Sequence, residues 1–254
     1  MSKAPDRKNI AAKNKKSSAS AAKRESAIRM TFIGVIAAVV LGVIVYGIVG
    51  GSSSVDDSPA PTGTIPTFVE QSDLSWSPNP DSTAASTLEI WEDFQCPYCA
   101  IYEGVFSSTF ERLADEGHVV IKYRPTTFLD GRFAGRHSAR ATNAFACAID
   151  QGVGEEFHKT LFLNQPTEEG DGWTDAELVE IGVQSGVTEA NKADFETCVA
   201  EGTYYKWGVD STALFDAEGI PGTPNYRLDG VEVPADVMTG GPEALYNWVI
   251  ENKK

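Results

Sequence analysis

Apolar and polar residues follow two different patterns between residues 87 and 125. The run TLEIWEDF (87–94) mixes aliphatic and aromatic residues, which is typical of a buried strand. From Tyr102 to Leu113, apolar residues recur at three and four spacing and predict a helix that ends at Gly117. HVVIKYRP (118–125) predicts a second strand that its proline stops. Together they form a βαβ unit, so we expect parallel strands and a right-handed connection.

Beyond residue 131 the periodicity becomes helical and stays so until about residue 218. It predicts helices over about 133–151, around EEFHKTLF (155–162), after Thr174 and Glu177 at capping-box spacing, and as a pair over about 188–217. NYRLDGVEV (225–233) then predicts a hairpin turning at Asp229-Gly230, and Pro242 begins a last helix. The order βαβ, helical block, ββα predicts an α/β domain with a helical insertion at about 131–218.

Residues 31–50 show no polar periodicity at all. These twenty uncharged residues have the length of a helix that crosses a bilayer. Nine Lys and Arg against two acidic residues precede them, a net of +7, which by the positive-inside rule keeps the amino terminus in the cytoplasm. A cleaved signal peptide is the alternative, but its apolar region is normally about 7 to 15 residues. We predict a basic cytoplasmic tail (1–30), a single transmembrane helix (31–50) in the cell membrane, and an extracytoplasmic remainder.

The part of the chain beyond residue 50 is strongly acidic and begins with a segment of low apolar content. Beyond residue 50 lie 12 basic and 34 acidic residues, a net of −22, and such a surface repels phosphate backbones, so nucleic acid is not an expected partner. Residues 51–80 are rich in Ser, Pro and Gly and predict a flexible tether. Residues 81–252 are long enough for one domain with its own core.

All four cysteines lie beyond the predicted anchor, on the side where disulfides persist. Cys96 and Cys99 stand where a predicted strand ends and a helix begins, and Pro97 suits the first helical turn. Unpaired N–H groups and the helix dipole favour a thiolate at Cys96, whereas Cys99 lies one turn further in and is expected to be more buried. Cys96 is therefore the predicted nucleophile and Cys99 the resolving thiol.

Other uses of two cysteines at this spacing must be weighed. A zinc site needs two more ligands, and His118, His137 and His158 form no second ligand pair. Copper carriage is disfavoured because methionines are few. We therefore predict no metal and no cofactor. A merely structural disulfide between Cys96 and Cys99 remains the alternative.

The segment GIPGTPNYRLDG (219–230) adds a second feature. Pro224 restricts Thr223 to extended geometry, and a cis bond between them is plausible before a strand. Beside the cysteines, such a loop would present the Thr223 backbone as a pairing edge for an extended peptide. An ordinary turn is the alternative.

These segments together resemble the DsbA-like branch of the thioredoxin superfamily, particularly the membrane-anchored DsbA-like proteins of actinobacteria. The resemblance rests on EDFQCPYC, the strand before it, the helix after it, IKYRP, the helical insertion and GTPNYRLDG, and it covers about residues 68–252. It implies a thioredoxin-like fold with a helical insertion domain. It also implies that Cys96 is the nucleophile, Cys99 the resolving thiol and Pro224 a cis-proline preceded by Thr223.

Several positions depart from that pattern. Many DsbA proteins carry a histidine between the cysteines, whereas the dipeptide here is Pro97-Tyr98, which supplies no cation. The buried acid often found six residues before the nucleophile is Ile90, so Glu92 and Asp93 are the candidate proton relays for Cys99. A solvated strand end explains both acids equally well.

Cys147 and Cys198 fall in two predicted helices of the insertion, outside any C-x-x-C. In an exported domain, two leftover cysteines most simply pair as a structural disulfide, as they also do in the actinobacterial relatives that the chain resembles. Two free buried thiols, or a second redox pair, are the alternatives.

The sequence thus predicts a protein-disulfide oxidoreductase outside the cytoplasm that introduces or exchanges disulfides in exported polypeptides with cysteine pairs. The resemblance implies a quinone-linked membrane thiol oxidase as a second partner, and residues 31–50 imply contact with the lipid bilayer. Two alternatives remain, a membrane-tethered disulfide reductase or isomerase, and a non-catalytic chaperone or assembly module.

Overall fold

A computed structural model describes residues 63–254 of the 254-residue chain. The predicted cytoplasmic tail (1–30), the predicted transmembrane helix (31–50) and the first part of the predicted tether lie outside these residues. Between residues 63 and 254, no helix combines the length and the apolar character that crossing a bilayer requires.

A four-stranded mixed sheet forms the centre of the domain. Its strands are β1 (Thr87–Glu92), β2 (Val120–Pro125), β3 (Asn225–Leu228) and β4 (Val231–Glu232), in the spatial order β2-β1-β3-β4. β1 and β2 are parallel, as the βαβ pattern predicts, with Thr87 opposite Val120. β3 runs antiparallel to β1, and β4 antiparallel to β3, so the predicted hairpin forms. β1 lies between β2 and β3, and its Leu88, Ile90 and Trp91 side chains are fully buried.

Helices follow the strands in the order that the periodicity predicts, except that a short helix over Ala235–Gly240 was not predicted. They are α1 (Pro97–Asp115), the 3-10 helix Phe128–Gly131, α2 (His137–Asp150), α3 (Gly154–Leu163), α4 (Asp175–Gln184), α5 (Lys192–Glu201), α6 (Tyr205–Ala217), α7 (Ala235–Gly240) and α8 (Pro242–Asn252). α1 buries Phe106, Phe110 and Leu113 and packs against α3 and α8. α2 to α6 make up the helical insertion.

α2 is the centre of that insertion. Every residue from Ala141 to Ala148 is buried, because α3, α4, α5 and α6 all pack against this helix. The small side chains of α2 let its neighbours approach closely. At the start of α4 the predicted capping box is present: the Thr174 hydroxyl accepts from Glu177 N, and the Glu177 carboxylate accepts from Thr174 N.

Two boundaries differ from the sequence-based expectation. The tether was expected to extend to residue 80, yet Val69 and Trp76 are buried in the core, and the Trp76 backbone forms an antiparallel bridge with Tyr123 of β2. The burial of these two apolar side chains holds the otherwise polar segment against the edge strand β2. The helix expected from residue 133 begins at His137, because Gly135 and Arg136 adopt positive φ angles of 102° and 52°.

Candidate active site

Cys96 lies at the junction between β1 and α1. Its backbone is extended, with φ −73° and ψ 116°, and it is the N-cap residue of the helix that Pro97 begins. Its N–H donates to the Asp93 carbonyl oxygen, which closes the turn after β1. The Cys96 side chain is 6% exposed. The sulfur therefore stands at the positive end of a 19-residue helix, as the sequence predicts.

Cys99 lies one turn into the same helix and is 3% exposed. Both cysteines are free thiols in the structure. A hydrogen bond from the Cys99 thiol lowers the pKa of Cys96 from its ordinary value of 9.0 to about 7, against the opposing effect of burial, and the N–H groups of Cys99 and Tyr98 contribute. Burial raises the pKa of Cys99 well above that value, and Cys96 adds to the rise. The two thiols thus differ as nucleophile and resolving thiol must.

Thr223 lies directly against Cys96. The Thr223–Pro224 peptide bond is cis, and Cys96 Sγ is 3.4 Å from the Thr223 carbonyl oxygen. The Thr223 hydroxyl is buried and finds no hydrogen-bond partner among residues 63–254. Tyr98, by contrast, lies on the surface of α1. The structure therefore places Cys96, Thr223 and Pro224 together, although 127 residues separate the first two.

Asp93 is fully buried and held by three donors. Its carboxylate accepts from the Ser138 hydroxyl at 2.6 Å, from Gln95 N at 2.9 Å and from Leu129 N at 3.0 Å. Burial raises the pKa of Asp93 to about 8, against these three hydrogen bonds. The side chain is therefore engaged in joining β1 to the start of the helical insertion.

Glu92 is also buried, and it faces a histidine that the sequence analysis left without a role. Glu92 Oε1 lies 2.6 Å from His158 Nε2, and Glu103 Oε1 lies 3.6 Å from His158 Nδ1. Burial raises the pKa of Glu92, and the charge of His158 opposes that rise. Burial alone would lower the pKa of His158, but the two carboxylates outweigh it and raise that pKa to about 10. The sequence signal was the helical spacing of His158 with Leu161 and Phe162, which puts it on an apolar face.

Gln165 is a second residue that the sequence analysis missed. Its side-chain amide donates to the Phe94 carbonyl oxygen at 2.7 Å and to the Cys96 carbonyl oxygen at 3.1 Å. Gln165 follows α3, so the helical insertion holds the turn that carries the nucleophile. A polar residue just after a helix carries no distinctive sequence signal.

Cys147 and Cys198 form a disulfide between α2 and α5, with a Cα–Cα distance of 6.0 Å. Beside it the Asn143 side chain donates to the carbonyl oxygens of Cys198 and Val199 and accepts from Tyr204 N. The bridge belongs to the helical insertion, and Cys147 is fully buried.

Comparison with known proteins agrees with this arrangement. The thioredoxin family profile matches residues 81–241, more than half of the chain. Among solved structures, oxidised DsbA of Mycobacterium tuberculosis is 30% identical over 65% of this chain and 82% of its own, with a TM-score of 0.55. The reduced disulfide bond oxidoreductase DsbG of the same organism is 29% identical over 65% and 77%, also with a TM-score of 0.55.

A third structure extends the similarity of fold. MdbA, a thiol-disulfide oxidoreductase of Actinomyces oris, covers 78% of this chain and 95% of its own at 24% identity, with a TM-score of 0.62. No curated protein sequence matches the chain. With the profile match and the DsbA similarity added to a free C-x-x-C pair at a helix N-terminus, the chain belongs to the thioredoxin family and is a thiol-disulfide oxidoreductase of the DsbA type.

Proposed function

We propose that the protein is a membrane-tethered, extracytoplasmic oxidase that donates a Cys96–Cys99 disulfide to cysteine pairs of newly exported polypeptides. The observation that carries the proposal is the unequal pair of thiols at the N-terminus of α1. Cys96 has a pKa of about 7, whereas burial raises the pKa of Cys99 far above the ordinary value. A sulfur that is stable as a thiolate is a good leaving group, which favours release of the reduced enzyme from a substrate.

The reaction proceeds by two exchanges. A substrate thiolate attacks Cys96 Sγ, the Cys96–Cys99 bond breaks, and its electron pair goes to Cys99 Sγ. The second substrate thiolate attacks the substrate sulfur of this mixed disulfide, and Cys96 leaves as a thiolate. The Thr223 backbone, which touches Cys96 at 3.4 Å, provides the edge along which an extended substrate segment pairs.

Glu92 is the proton relay for Cys99 in this proposal. Of the two candidates from the sequence, the carboxylate of Asp93 already accepts three hydrogen bonds. The charge of Glu92, in contrast, acts on Cys99 and adds to the rise in the Cys99 pKa that burial causes. A carboxylate with that influence and a raised pKa of its own suits proton exchange with a buried thiol.

The sequence of residues 1–50 supports the proposed location, and the resemblance to DsbA-like proteins supports the proposed partners. Residues 31–50 serve as the bilayer anchor, residues 1–30 remain in the cytoplasm, and the domain from residue 81 onward lies outside it. DsbA-type proteins act on polypeptides with cysteine pairs. A quinone-linked membrane thiol oxidase then restores the Cys96–Cys99 disulfide.

The direction of electron flow separates this oxidase from a reductase or isomerase with the same fold. Equilibrating the purified protein with glutathione redox buffers and counting the thiols that remain alkylatable gives the Cys96–Cys99 reduction potential. An oxidase requires a potential well above that of thioredoxin, which is about −270 mV. A value at or below the thioredoxin potential would overturn the oxidase assignment.

Two cysteine variants test the chemistry itself. Cys96→Ser should abolish oxidation of a reduced test peptide, and Cys99→Ser should accumulate a mixed disulfide between Cys96 and the peptide. The Cys147→Ala/Cys198→Ala double variant is the matched control and should still oxidise the peptide. Wild-type rates in Cys96→Ser would instead favour the non-catalytic chaperone or assembly module.

A further inference from the structure

A buried cluster of three ionisable side chains lies beneath the redox pair. His158, on α3, is 1% exposed and has one ring nitrogen toward Glu92 at the end of β1 and the other toward Glu103 on α1. Four aromatic rings enclose the imidazole, with centroid distances of 4.5 to 5.8 Å: Phe94, Tyr123, Phe145 and Phe162. An ionic cluster in so apolar a setting is costly unless its charges are matched.

The charges of this cluster are not matched one to one. A structural ion pair needs a single carboxylate for the imidazolium, yet two are buried beside His158. Glu103 Oε1, 3.6 Å from His158 Nδ1, is beyond hydrogen-bonding distance and has no hydrogen-bond partner among residues 63–254. One imidazolium cannot match two carboxylates, so the cluster holds one negative charge in excess when Glu92 is ionised, and Glu92 can take up a proton as the charge on a neighbouring group changes.

The cluster also lies next to Cys99. Glu103 follows Cys99 by four residues on the buried face of α1, so the two side chains are neighbours along the helix. The other titratable groups facing the cluster are the phenols of Tyr123 on β2 and Tyr226 on β3, whose pKa values burial raises well above 10.0, so both stay neutral. From α2, the Phe145 ring packs against His158. Among residues 63–254, Cys99 is therefore the neighbouring group that changes its protonation during the reaction, and the three side chains can exchange a proton with it.

We propose that His158, Glu92 and Glu103 form one buried proton store for Cys99, in which His158 is a positioning residue supplied by the helical insertion. The inference rests on the proposed oxidoreductase function and adds His158 and Glu103 to the relay. His158 holds Glu92 in place at 2.6 Å and supplies the positive charge that allows Glu92 to ionise inside the core.

The store balances the reaction at Cys99. When a substrate thiolate breaks the Cys96–Cys99 bond, the electron pair moves to Cys99 Sγ, and one proton moves from the store to that sulfur. On reoxidation, Cys96 first forms a mixed disulfide with the oxidant. Glu92 then takes the proton back as Cys99 Sγ attacks Cys96 Sγ and the oxidant's thiolate leaves. No proton has to cross from solvent to the buried thiol in either step.

The test measures the closing step as a function of pH. Reduced full-length protein in detergent is mixed with a large excess of oxidised glutathione, quenched with acid, and weighed by mass spectrometry, so that formation and decay of the Cys96–glutathione adduct are separate rates. Decay of the adduct reports Cys99. Formation reports Cys96 and is the internal control, because the store does not touch that sulfur.

Two substitutions should move the closing profile in opposite directions. His158→Gln removes the positive charge, which raises the pKa of Glu92, so the inflection should shift upward by about one to three pH units. Glu103→Gln removes a negative charge that raises the pKa of Glu92, so the inflection should shift downward. His118→Gln, a half-buried histidine paired with Glu116 at the far end of α1, is the matched control and should leave the profile unchanged.

Each outcome decides the matter. Unchanged inflections in folded His158→Gln and Glu103→Gln proteins, with normal adduct formation, would overturn the proton store and leave the oxidoreductase function standing. Shifts of the same sign in both variants would also overturn the proton store. Such shifts would indicate a general loosening of the core, which affects both variants alike, rather than the loss of two opposite charges. If His158→Gln fails to fold, Glu103→Gln decides alone. If the wild-type protein forms no adduct at Cys96, the oxidoreductase function itself fails, and the store with it.

Discussion

The domain contains two pairs of cysteines that share a compartment and differ in almost everything else. Cys96 and Cys99 belong to one helix, at its positive end, and the first sulfur touches the Thr223 backbone. Cys147 and Cys198 belong to two helices, α2 and α5, and form a bridge within the insertion. Two cysteines one turn apart at a helix N-terminus form a pair with a reactive thiolate. Two cysteines far apart in sequence, on packed helices, form a structural disulfide, here called the clamp.

The two pairs differ in the surroundings of the thiols that form when each disulfide is reduced. Opening the Cys96–Cys99 bond leaves one sulfur stabilised as a thiolate by a thiol and two N–H groups, and the other under the influence of the Glu92 carboxylate, which His158 contacts. Opening the Cys147–Cys198 bond leaves two thiols between the packed helices α2 and α5, where Cys147 is fully buried. The first pair is therefore suited to cycling and the second to permanence, and the following predictions test that contrast.

The largest effect is expected from removing the clamp. The Cys147–Cys198 bridge closes a loop of 51 residues, so Cys147→Ala/Cys198→Ala should lower the free energy of unfolding by about 4 kcal/mol in the chain-entropy account. Guanidinium unfolding of the wild-type and variant proteins, with Cys96 and Cys99 in the same redox state in both, measures this loss of free energy. Opening the Cys96–Cys99 bond, whose loop is only three residues long, should cost far less. A loss below about 1 kcal/mol would show that α2 and α5 hold without their bridge.

The second prediction concerns the reactivity of the two pairs toward an alkylating reagent. Alkylation of Cys96 by iodoacetamide should rise with pH and be half-maximal at about pH 7, since the thiolate is the nucleophile and its pKa is about 7. That value corresponds to roughly 100-fold more thiolate in mildly acidic solution than a pKa of 9.0 would allow.

The cause can be tested with one substitution. Cys99→Ala removes the hydrogen bond that is the main reason for the low pKa of Cys96, so the midpoint of alkylation should move upward by about one pH unit or more. Cys147 and Cys198 should stay unlabelled in every folded sample. A midpoint that does not move would assign the low pKa of Cys96 to Thr223 and the N–H groups at the start of α1 instead.

The sequence predicts the local features of the fold and misses contacts between residues that are distant along the chain. Periodicity predicts β1, α1 and β2, and the spacing of Thr174 and Glu177 predicts the start of α4, because these features depend on neighbours along the chain. The contact of Cys96 with Thr223 and the pairing of His158 with Glu92 join residues that are 127 and 66 positions apart. No local pattern reports such distances, so a buried charged histidine looks like any residue of an apolar helix face. Only the resemblance to DsbA-like proteins brought Thr223 and Pro224 to the cysteines.

Gln165 connects the two regions and provides a smaller test. Gln165→Ala leaves the Phe94 and Cys96 carbonyl oxygens without their donor and should reduce the free energy of unfolding by about 2 kcal/mol. This loss is about half that of removing the bridge. Gln184→Ala, at the exposed end of α4, is the matched control and should change stability little. Equal stability of the two variants would mean that the insertion does not hold the turn at Cys96.

The smallest expected effect concerns the Thr223 hydroxyl, which is buried beside Cys96 without a hydrogen-bond partner among residues 63–254. As the Cys96 thiol ionises, that hydroxyl can turn and donate to the sulfur, which contributes to the low pKa of Cys96 after the larger effect of Cys99. Thr223→Val keeps the shape and removes the donor, so the alkylation midpoint should rise by less than about one pH unit. Thr223→Ser retains the donor and should restore the wild-type midpoint. If Val and Ser behave alike, the hydroxyl plays no part, and the Thr223 backbone alone connects this loop to the redox pair.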